Sequence, residues 1–159
     1  MGGSRSGTDN VAFRIWSPCV VHTLNLIFKD WAQAFDWFKD TYFKGKQIVK
    51  YFVNPSHALT IFRSNSKLEL LKVAKTRFAS HYIMLKRVVD VREALAITVV
   101  LNSWKELMKI GDENTREVGI LITGYIRSDD FWNEVQNILV ITKPIYKLIR
   151  LFVIKMVQL

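Results

Sequence analysis

The sequence has one cysteine, three prolines and seven glycines among its 159 residues. A single cysteine excludes a disulfide bond within the chain and is typical of a protein from a reducing compartment. No stretch is rich in proline or glycine, so no linker is evident that would divide the chain into domains. The sequence also lacks a glycine-rich phosphate loop, a G-x-S-x-G motif and an H-E-x-x-H motif, which argues against the enzyme classes that use them.

A secretory signal and a long apolar run are missing as well. The apolar C-terminal segment is interrupted by four basic residues, Lys143, Lys147, Arg150 and Lys155. No stretch therefore approaches the roughly 20 apolar residues that a membrane span needs. We expect a nuclear or cytoplasmic protein that is not secreted and has no membrane span.

Acidic residues are in the minority, with 14 Asp and Glu against 23 Lys and Arg, and the formal net charge is +9. This balance favours a polyanion or an anionic surface as a partner, although a basic domain that binds nothing acidic is an equally good interpretation. Hydrophobic residues make up 50% of the sequence and aromatic residues 13%. Such a composition excludes a disordered chain and allows one domain with a hydrophobic core.

Hydrophobic residues recur at helical spacing along most of the chain. An amphipathic helix is expected to begin at Ser17-Pro18 and to end at Gly45, either unbroken or with a break near Asp30. The most regular series predicts a helix over residues 77–100 and consists of Met84, Val88, Val91, Leu95 and Val99. Shorter helices are expected at residues 47–53 and 55–63. A last long helix is expected to open at Ser128 and to be kinked by Pro144.

Several local patterns complete the assignment. Residues 12–16 alternate between apolar and polar side chains, which predicts a short strand. Two capping-box patterns predict helix starts, Ser66 with Glu69 and Ser103 with Glu106. Residues 116–126 contain two glycines and several β-branched residues, so helix and strand compete there. The expected fold is mainly α, with one or two strands near the N-terminal end.

The single cysteine, Cys19, stands three residues before His22. On a helix this spacing places both side chains on one face, where they could bind zinc; the remaining soft ligands, His57 and His81, are not paired at ligand spacing. Cys19 could instead be a nucleophile with His22 as its base, because a helix N-terminus activates a thiol. A small buried thiol beside a histidine with a local hydrogen bond is the third interpretation, and the residues alone favour it.

Several motifs occur in an order and spacing that resemble the hAT family of DNA transposases, in its plant transposase-derived branch with a domain of unknown function. They are TDN at residues 8–10, CVVHTLNL at 19–26, TRFAS at 76–80, LNSWKE at 101–106, DFWNEV at 130–135 and KPIYKLIRL at 143–151. The resemblance extends from Thr8 to about Leu151. Each motif is weak by itself, and the specificity lies in their order and spacing.

This resemblance implies an RNase H-like catalytic domain interrupted by a large helical insertion. Three acids in such a domain hold two Mg²⁺ or Mn²⁺ ions, which activate the attacking oxygen and stabilise the leaving one. Asp9 matches the second acid, and Cys19 with His22 matches a C-x-x-H pair that shapes the site. Arg77 and Phe78 match the start of the insertion. An aromatic side chain there, often Trp in relatives, can stack on an unstacked base.

The departures from the family pattern predict an inactive fragment. The first catalytic Asp would lie upstream of Asp9 and the Glu beyond Leu159, so the ancestral metal site is expected to be incomplete. We therefore expect no cofactor and no transposase or nuclease activity. The expected organisation is a disordered N-terminus at residues 1–8 and one partial domain at 9–159. An RNase H-like remnant would occupy 9–45, and a helical insertion region 46–159.

Three kinds of partner remain open. Weak, non-specific DNA binding would use Arg77, Phe78, Lys86 and Arg87, although a solvated charged face has the same pattern. Association with another copy or with a full-length relative, through exposed apolar helices, is the alternative. A basic amphipathic helix at residues 145–159, lying on a membrane surface, is a third and weaker interpretation, because a core helix with snorkelling lysines has the same pattern.

Overall fold

The computed structural model describes residues 35–54, 57–72 and 80–157, together with part of the segment 22–34. In these parts of the chain there are seven bounded helices and no strand, which confirms the prediction of a mainly α fold. The helices are α1 (Asp36–Val53), α2 (His57–Arg63), α3 (Ser80–Asp90), α4 (Arg92–Thr98), α5 (Asn102–Ile110), α6 (Glu113–Ile126) and α7 (Asp129–Val157). The described residues between 22 and 34 are also helical and precede α1.

One hydrophobic core lies between the seven helices and contains side chains from each of them. Its largest fully buried side chains are Trp104, Phe38, Phe52, Phe62 and Phe131. Helix α3 packs along α7, and α1 packs against α2, α3, α6 and α7, so α1 lies at the centre of the bundle. Each large apolar side chain removed from water contributes about 1.5–3 kcal/mol, so this shared core is the main source of stability.

The regular apolar series predicted for residues 77–100 is buried along its whole length, from Met84 at 1% exposure to Val99 at 6%. The prediction of one continuous helix is wrong in detail, because α3 and α4 are separated at Val91, where φ is −106° and ψ is 13°. Backbone hydrogen bonds from Val91 N to Arg87 O and from Leu95 N to Val91 O cross this break. The apolar face therefore continues from one helix into the next. Residues 77–79 lie outside the described part.

Helix α1 corrects two predictions near Gly45. The helix continues through Gly45 instead of ending there, and the separate helix predicted at residues 47–53 is its second half. A Cβ atom at position 45 would lie 2.8 Å from Leu85 Cδ2, so glycine is used here for close packing of α1 on α3. The helix ends at Val53, followed by Asn54 in an extended conformation, as expected for a residue before proline.

Helix starts are only partly where the sequence patterns place them. Ser66 does not cap a helix: its Oγ accepts from Leu68 N at 3.2 Å within a loop, while Glu69 pairs with Arg63 at 2.8 Å. The N-cap position of α5 is Leu101, two residues earlier than the Ser103 pattern predicts. Both capping-box predictions are therefore wrong. The predicted opening at Ser128 is confirmed, because its Oγ accepts from Phe131 N at 3.3 Å.

Two segments that the sequence left uncertain are helical: residues 116–126 and the region around Pro144. Residues 116–126 belong to α6, whose N-cap Asp112 accepts from Thr115 N at 2.9 Å. Helix α7 continues through Pro144. Among the helices that the structure describes, none has both the length and the hydropathy to cross a bilayer.

The predicted strand at residues 12–16 lies outside the described residues. The RNase H-like remnant predicted for residues 9–45 overlaps them only from residue 22 onward, and that overlap is helical. Helix α1 crosses the predicted boundary at residues 45–46, and its side chains enter the common core on both sides of it. The division into a remnant at residues 9–45 and an insertion region at 46–159 stays a prediction.

Candidate functional site: a groove beside helix α1

A groove of about 770 Å³ lies between α1 and the turn that joins α5 to α6. Side chains spaced three or four apart on α1 form one wall: Phe43, Lys46, Gln47, Lys50, Tyr51 and Asn54. The opposite wall comes from the start of α2, the end of α5 and the first turns of α6, including Leu107, Asp112, Thr115 and Val118. The volume is within the range of small-ligand sites, so the groove is large enough for an organic group.

Aromatic packing holds the two walls at a fixed distance. Tyr51 Oη donates to the Thr115 carbonyl at 3.1 Å, which ties α1 to the first turn of α6. Below it, Phe52 stacks on Trp104 with ring centroids 5.4 Å apart and an interplanar angle of 21°. Trp104 Nε1 donates to Thr123 Oγ1 at 3.1 Å, so α5 and α6 are joined beneath the same groove.

The charge along this wall of α1 is positive. Lys46 and Lys50 are exposed, and Lys39 continues the row one turn beyond Phe43. Five ion pairs are present in the described part of the chain, one of them between Lys44 and Asp40 on α1 itself, but none includes Lys39, Lys46 or Lys50. An anion at the groove would therefore meet cations that have no carboxylate partner to give up.

Asp112 is the carboxylate among the described lining residues. Its pKa is lowered because it accepts hydrogen bonds from the side chain and the backbone N–H of Thr115. The pKa of Tyr51 is raised, first by burial and second by the negative charge of Asp112. Asp112 thus caps α6 and keeps its negative charge at the groove, where it faces the lysines of α1.

Two further side chains on this wall of α1 can contact a ligand. Phe43 is 54% exposed, an unusual exposure for a large aromatic ring. Gln47 Oε1 is buried without a hydrogen-bond partner, which costs about 1–3 kcal/mol. Rotation of the terminal amide exchanges its oxygen and nitrogen, so either group can be turned toward the groove. The wall therefore offers an aromatic face and an adaptable amide between the lysines.

His81 lies behind the same wall, at the start of α3. A hydrogen bond joins its Nδ1 to Tyr42 Oη, and the two rings meet edge to face with centroids 5.0 Å apart. The pKa of His81 is lowered from its ordinary value of 6.5, first by burial and second by the positive charge of Lys46. His81 is therefore neutral at physiological pH, and its pKa depends on the charge at Lys46.

This lowered pKa predicts a pH dependence of stability. The unfolded chain binds the histidine proton more tightly than the folded one, so the free energy of unfolding should fall as pH drops from 6.5 through the lowered pKa. Urea unfolding above and below pH 6.5 measures this loss, and His81→Gln should remove that part of it. In an NMR titration, Lys46→Gln should raise the pKa of His81. A native His81 pKa at or above 6.5 would contradict the assignment.

The structure describes only some of the site residues predicted from sequence. Asp9, Cys19, Arg77 and Phe78 lie outside the described residues, and their roles stay predictions. His22 is helical and exposed. The distance between Cys19 and His22, on which the zinc and nucleophile interpretations depend, is therefore not defined.

The predicted phosphate-binding residues of α3 hold partners within the protein. Lys86 Nζ lies 2.8 Å from Asp90 Oδ1, and Arg87 Nη1 donates to the Glu69 carbonyl at 2.9 Å. Arg92 on α4 lies over the ring of Trp132, 4.9 Å from its centroid, and pairs with Asp129 at 3.4 Å. A phosphate would have to compete with these contacts, whereas at Lys46 and Lys50 it would not.

Sequence reasoning missed the groove and its lysines. The spacing of Lys39, Phe43, Lys46 and Lys50 at three or four was the available signal, but the assumed helix end at Gly45 divided it between two elements. The opposite wall, some sixty residues further on, has no sequence signature. No three His, Cys, Asp or Glu side chains come together as metal ligands in the part of the chain that the structure describes.

The candidate site thus combines lysines without an ion pair in the described part of the chain, an exposed aromatic ring and an adaptable amide, all along a groove next to the most central helix. Comparison of the chain with protein-family models, with curated proteins and with solved structures gave no match.

Proposed function

We propose that this chain is a catalytically inactive protein derived from a hAT-like transposase, and that it contacts nucleic acid weakly and without sequence preference along α1. The proposed ancestry, including an RNase H-like remnant in residues 9–45, rests on the ordered sequence motifs alone. The proposed binding is supported by one observation: Lys39, Lys46 and Lys50 lie along one side of α1 without an ion pair among the described residues, and Lys46 and Lys50 line the groove.

The geometry of this row suits a phosphate backbone. From Lys39 to Lys50 the helix rises about 16 Å, at about 1.5 Å per residue, a length over which one strand of B-DNA carries several phosphates. Flexible lysine side chains can adjust to phosphates at irregular distances, which favours binding without sequence preference. The net charge of +9 adds a long-range attraction of the same sign.

Phe43 and Gln47 favour a single strand over a duplex. Phe43 is exposed between Lys39 and Lys46, so a strand held by those lysines would pass across its ring. Stacking of an unpaired base on an aromatic ring contributes about 1–3 kcal/mol and is insensitive to the identity of the base. The groove beside it has room for that base, and the Gln47 amide can donate to it or accept from it.

Removal of two lysines tests the proposed contact. The double variant Lys46→Gln, Lys50→Gln should bind a fluorescent single-stranded oligonucleotide on the order of tenfold more weakly at low salt. The slope of log K against log salt should become shallower by about 1.4, since each single-strand phosphate contact contributes about 0.7. Fluorescence anisotropy over a salt series measures both quantities.

Two control variants remove the same charge elsewhere. Lys67→Gln, Lys72→Gln removes two exposed lysines from the loop after α2, and Lys86→Gln, Arg87→Gln tests the contacts predicted from sequence. An equal loss in all three double variants would mean that only net charge matters and would reject the α1 contact. No binding by the native chain at low salt would reject the function itself. Cleavage of the oligonucleotide in Mg²⁺ or Mn²⁺ would reject the proposed inactivity.

Association with another copy or with a full-length relative is the second candidate. It is favoured by large exposed apolar side chains that are not among the lining residues of the groove, such as Ile110 at 79% and Val100 at 56%. A dimer that forms with increasing concentration in sedimentation velocity, without nucleic acid, would support this second function.

A further inference from the structure

A second surface lies on α7, away from the groove. Five large apolar side chains are exposed along this helix: Val140 at 69%, Leu151 at 57%, Leu148 at 45%, Ile141 at 43% and Ile154 at 43%. We name them the outer face of α7. We propose that this face docks the protein on an anionic membrane surface, with the helix lying parallel to the plane of the lipids.

The spacing places these side chains on one side of the helix. Val140, Leu148 and Leu151 follow one another at eight and three residues, and Pro144 fills the position between the first two. From Val140 to Ile154 the face is about 21 Å long, at about 1.5 Å per residue. These residues therefore form an apolar stripe along one side of the helix, with Lys147 between Val140 and Ile154 on the same side.

Packing on the other side of α7 fixes which way this stripe points. Ile145 and Ile149 are 9% and 4% exposed and pack with Ile27 and Trp31 from the N-terminal helical segment. Tyr146 stacks on Tyr82 of α3, with ring centroids 4.3 Å apart. The inward side of α7 is thus already satisfied within the fold. The outer face is a surplus apolar surface that the core does not use.

The charges beside the stripe select the partner. Lys143 and Arg150 are exposed at its edge and Lys147 is exposed within it, and none of the three has an ion pair among the described residues. Residues 135–159 contain four basic residues and no acid. A second copy packed through this face would bring like charges together, and a nucleic acid would offer little apolar surface to the leucines. An anionic bilayer provides an apolar layer and a negative surface at the same depth.

This inference is independent of the proposed nucleic-acid contact, because it uses other residues on another helix. It agrees with the absence of a spanning helix in the described part of the chain, since a surface helix of this kind does not cross the bilayer. In this arrangement the apolar side chains insert between the lipids, and the cations bind the negatively charged headgroups.

Vesicle binding by the full chain tests the inference. Co-sedimentation with phosphatidylcholine vesicles, with and without phosphatidylserine, should show binding that depends on the anionic lipid. Leu148→Gln, Leu151→Gln should lower that binding at least tenfold. Lys147→Gln, Arg150→Gln should weaken it and remove most of its salt dependence.

A matched control is available on α6. Ile120 and Leu121 are 60% and 45% exposed, close to the values of Leu151 and Leu148, so Ile120→Gln, Leu121→Gln makes an equivalent change at another surface. This control should bind like the native chain. Absence of binding to phosphatidylserine vesicles, or equal loss in the control, would overturn the inference. A dimer in sedimentation velocity that the Leu148 and Leu151 changes dissociate would overturn it in favour of a second copy.

Discussion

Trp104→Ala is expected to lower the free energy of unfolding by about 3–5 kcal/mol, the range measured for removal of a buried Trp or Phe side chain. Trp104 is 2% exposed and stacks on Phe52, while Tyr51 meets its ring edge at a centroid distance of 5.9 Å. Truncation would leave a cavity where α1, α5 and α6 meet. It would also leave Thr123 Oγ1 without its indole donor. Urea unfolding followed by circular dichroism measures the loss.

Trp104→Phe separates the two contributions. The phenyl ring retains much of the stacking on Phe52 but lacks the Nε1 donor, so the expected loss is smaller, about 1–3 kcal/mol. A loss below 1 kcal/mol for Trp104→Ala would contradict the placement of this residue in the core. Because Trp104 supports the wall that carries Tyr51, the alanine variant should also bind the oligonucleotide more weakly, whereas the phenylalanine variant should not.

Two glycines in α6 are expected to respond to alanine with opposite signs. At Gly119 a Cβ atom would lie 2.4 Å from Met108 Sδ and 2.8 Å from Tyr51 Oη. Met108 is flexible, but Tyr51 is held by its hydrogen bond to Thr115, so the collision cannot be relieved by one side chain alone. Gly119→Ala should therefore cost about 1–3 kcal/mol despite the better helix propensity of alanine.

Gly124 is the matched control within the same helix. Nothing lies within 4 Å of a Cβ atom at this position, so Gly124→Ala gains helix propensity without a collision. The expected effect is a stabilisation of about 0.5–1 kcal/mol, measured by urea unfolding. Stabilisation by both substitutions would mean that α5 and α6 are further apart at Gly119 than the structure places them. Destabilisation by both would mean that propensity does not govern Gly124.

The local sequence patterns succeeded where one helix face is buried. The series from Met84 to Val99 predicted the buried side of α3 and α4, because spacing at three or four reports directly which residues face the core. The stop at Asn54-Pro55 and the start at Ser128 were also correct, since proline and serine act on the adjacent backbone. These signals are local, so they do not depend on what packs nearby.

The local sequence patterns gave wrong predictions of a helix end at Gly45 and of helix starts at the two capping boxes. Glycine can end a helix or continue it; at Gly45 the helix continues, and the missing Cβ atom leaves room for Leu85 of α3. Ser66 and Glu69 have the spacing of a capping box, but Glu69 is engaged by Arg63, and the chain makes a loop there. Whether such residues act as caps depends on partners that the local pattern does not contain.

The sequence by itself determined the helical class, the face of α3 and α4 that is buried, the positive charge and the acid-free C-terminal segment. Only the tertiary structure decided which cations form ion pairs among the described residues: Lys86 and Arg92 pair with Asp90 and Asp129, whereas Lys46 and Lys50 do not pair there. The tertiary structure also determined that a groove forms, since the walls of the groove come from parts of the chain about sixty residues apart. Helical periodicity is a property of neighbours along the chain, whereas a groove and a free charge are properties of neighbours in space.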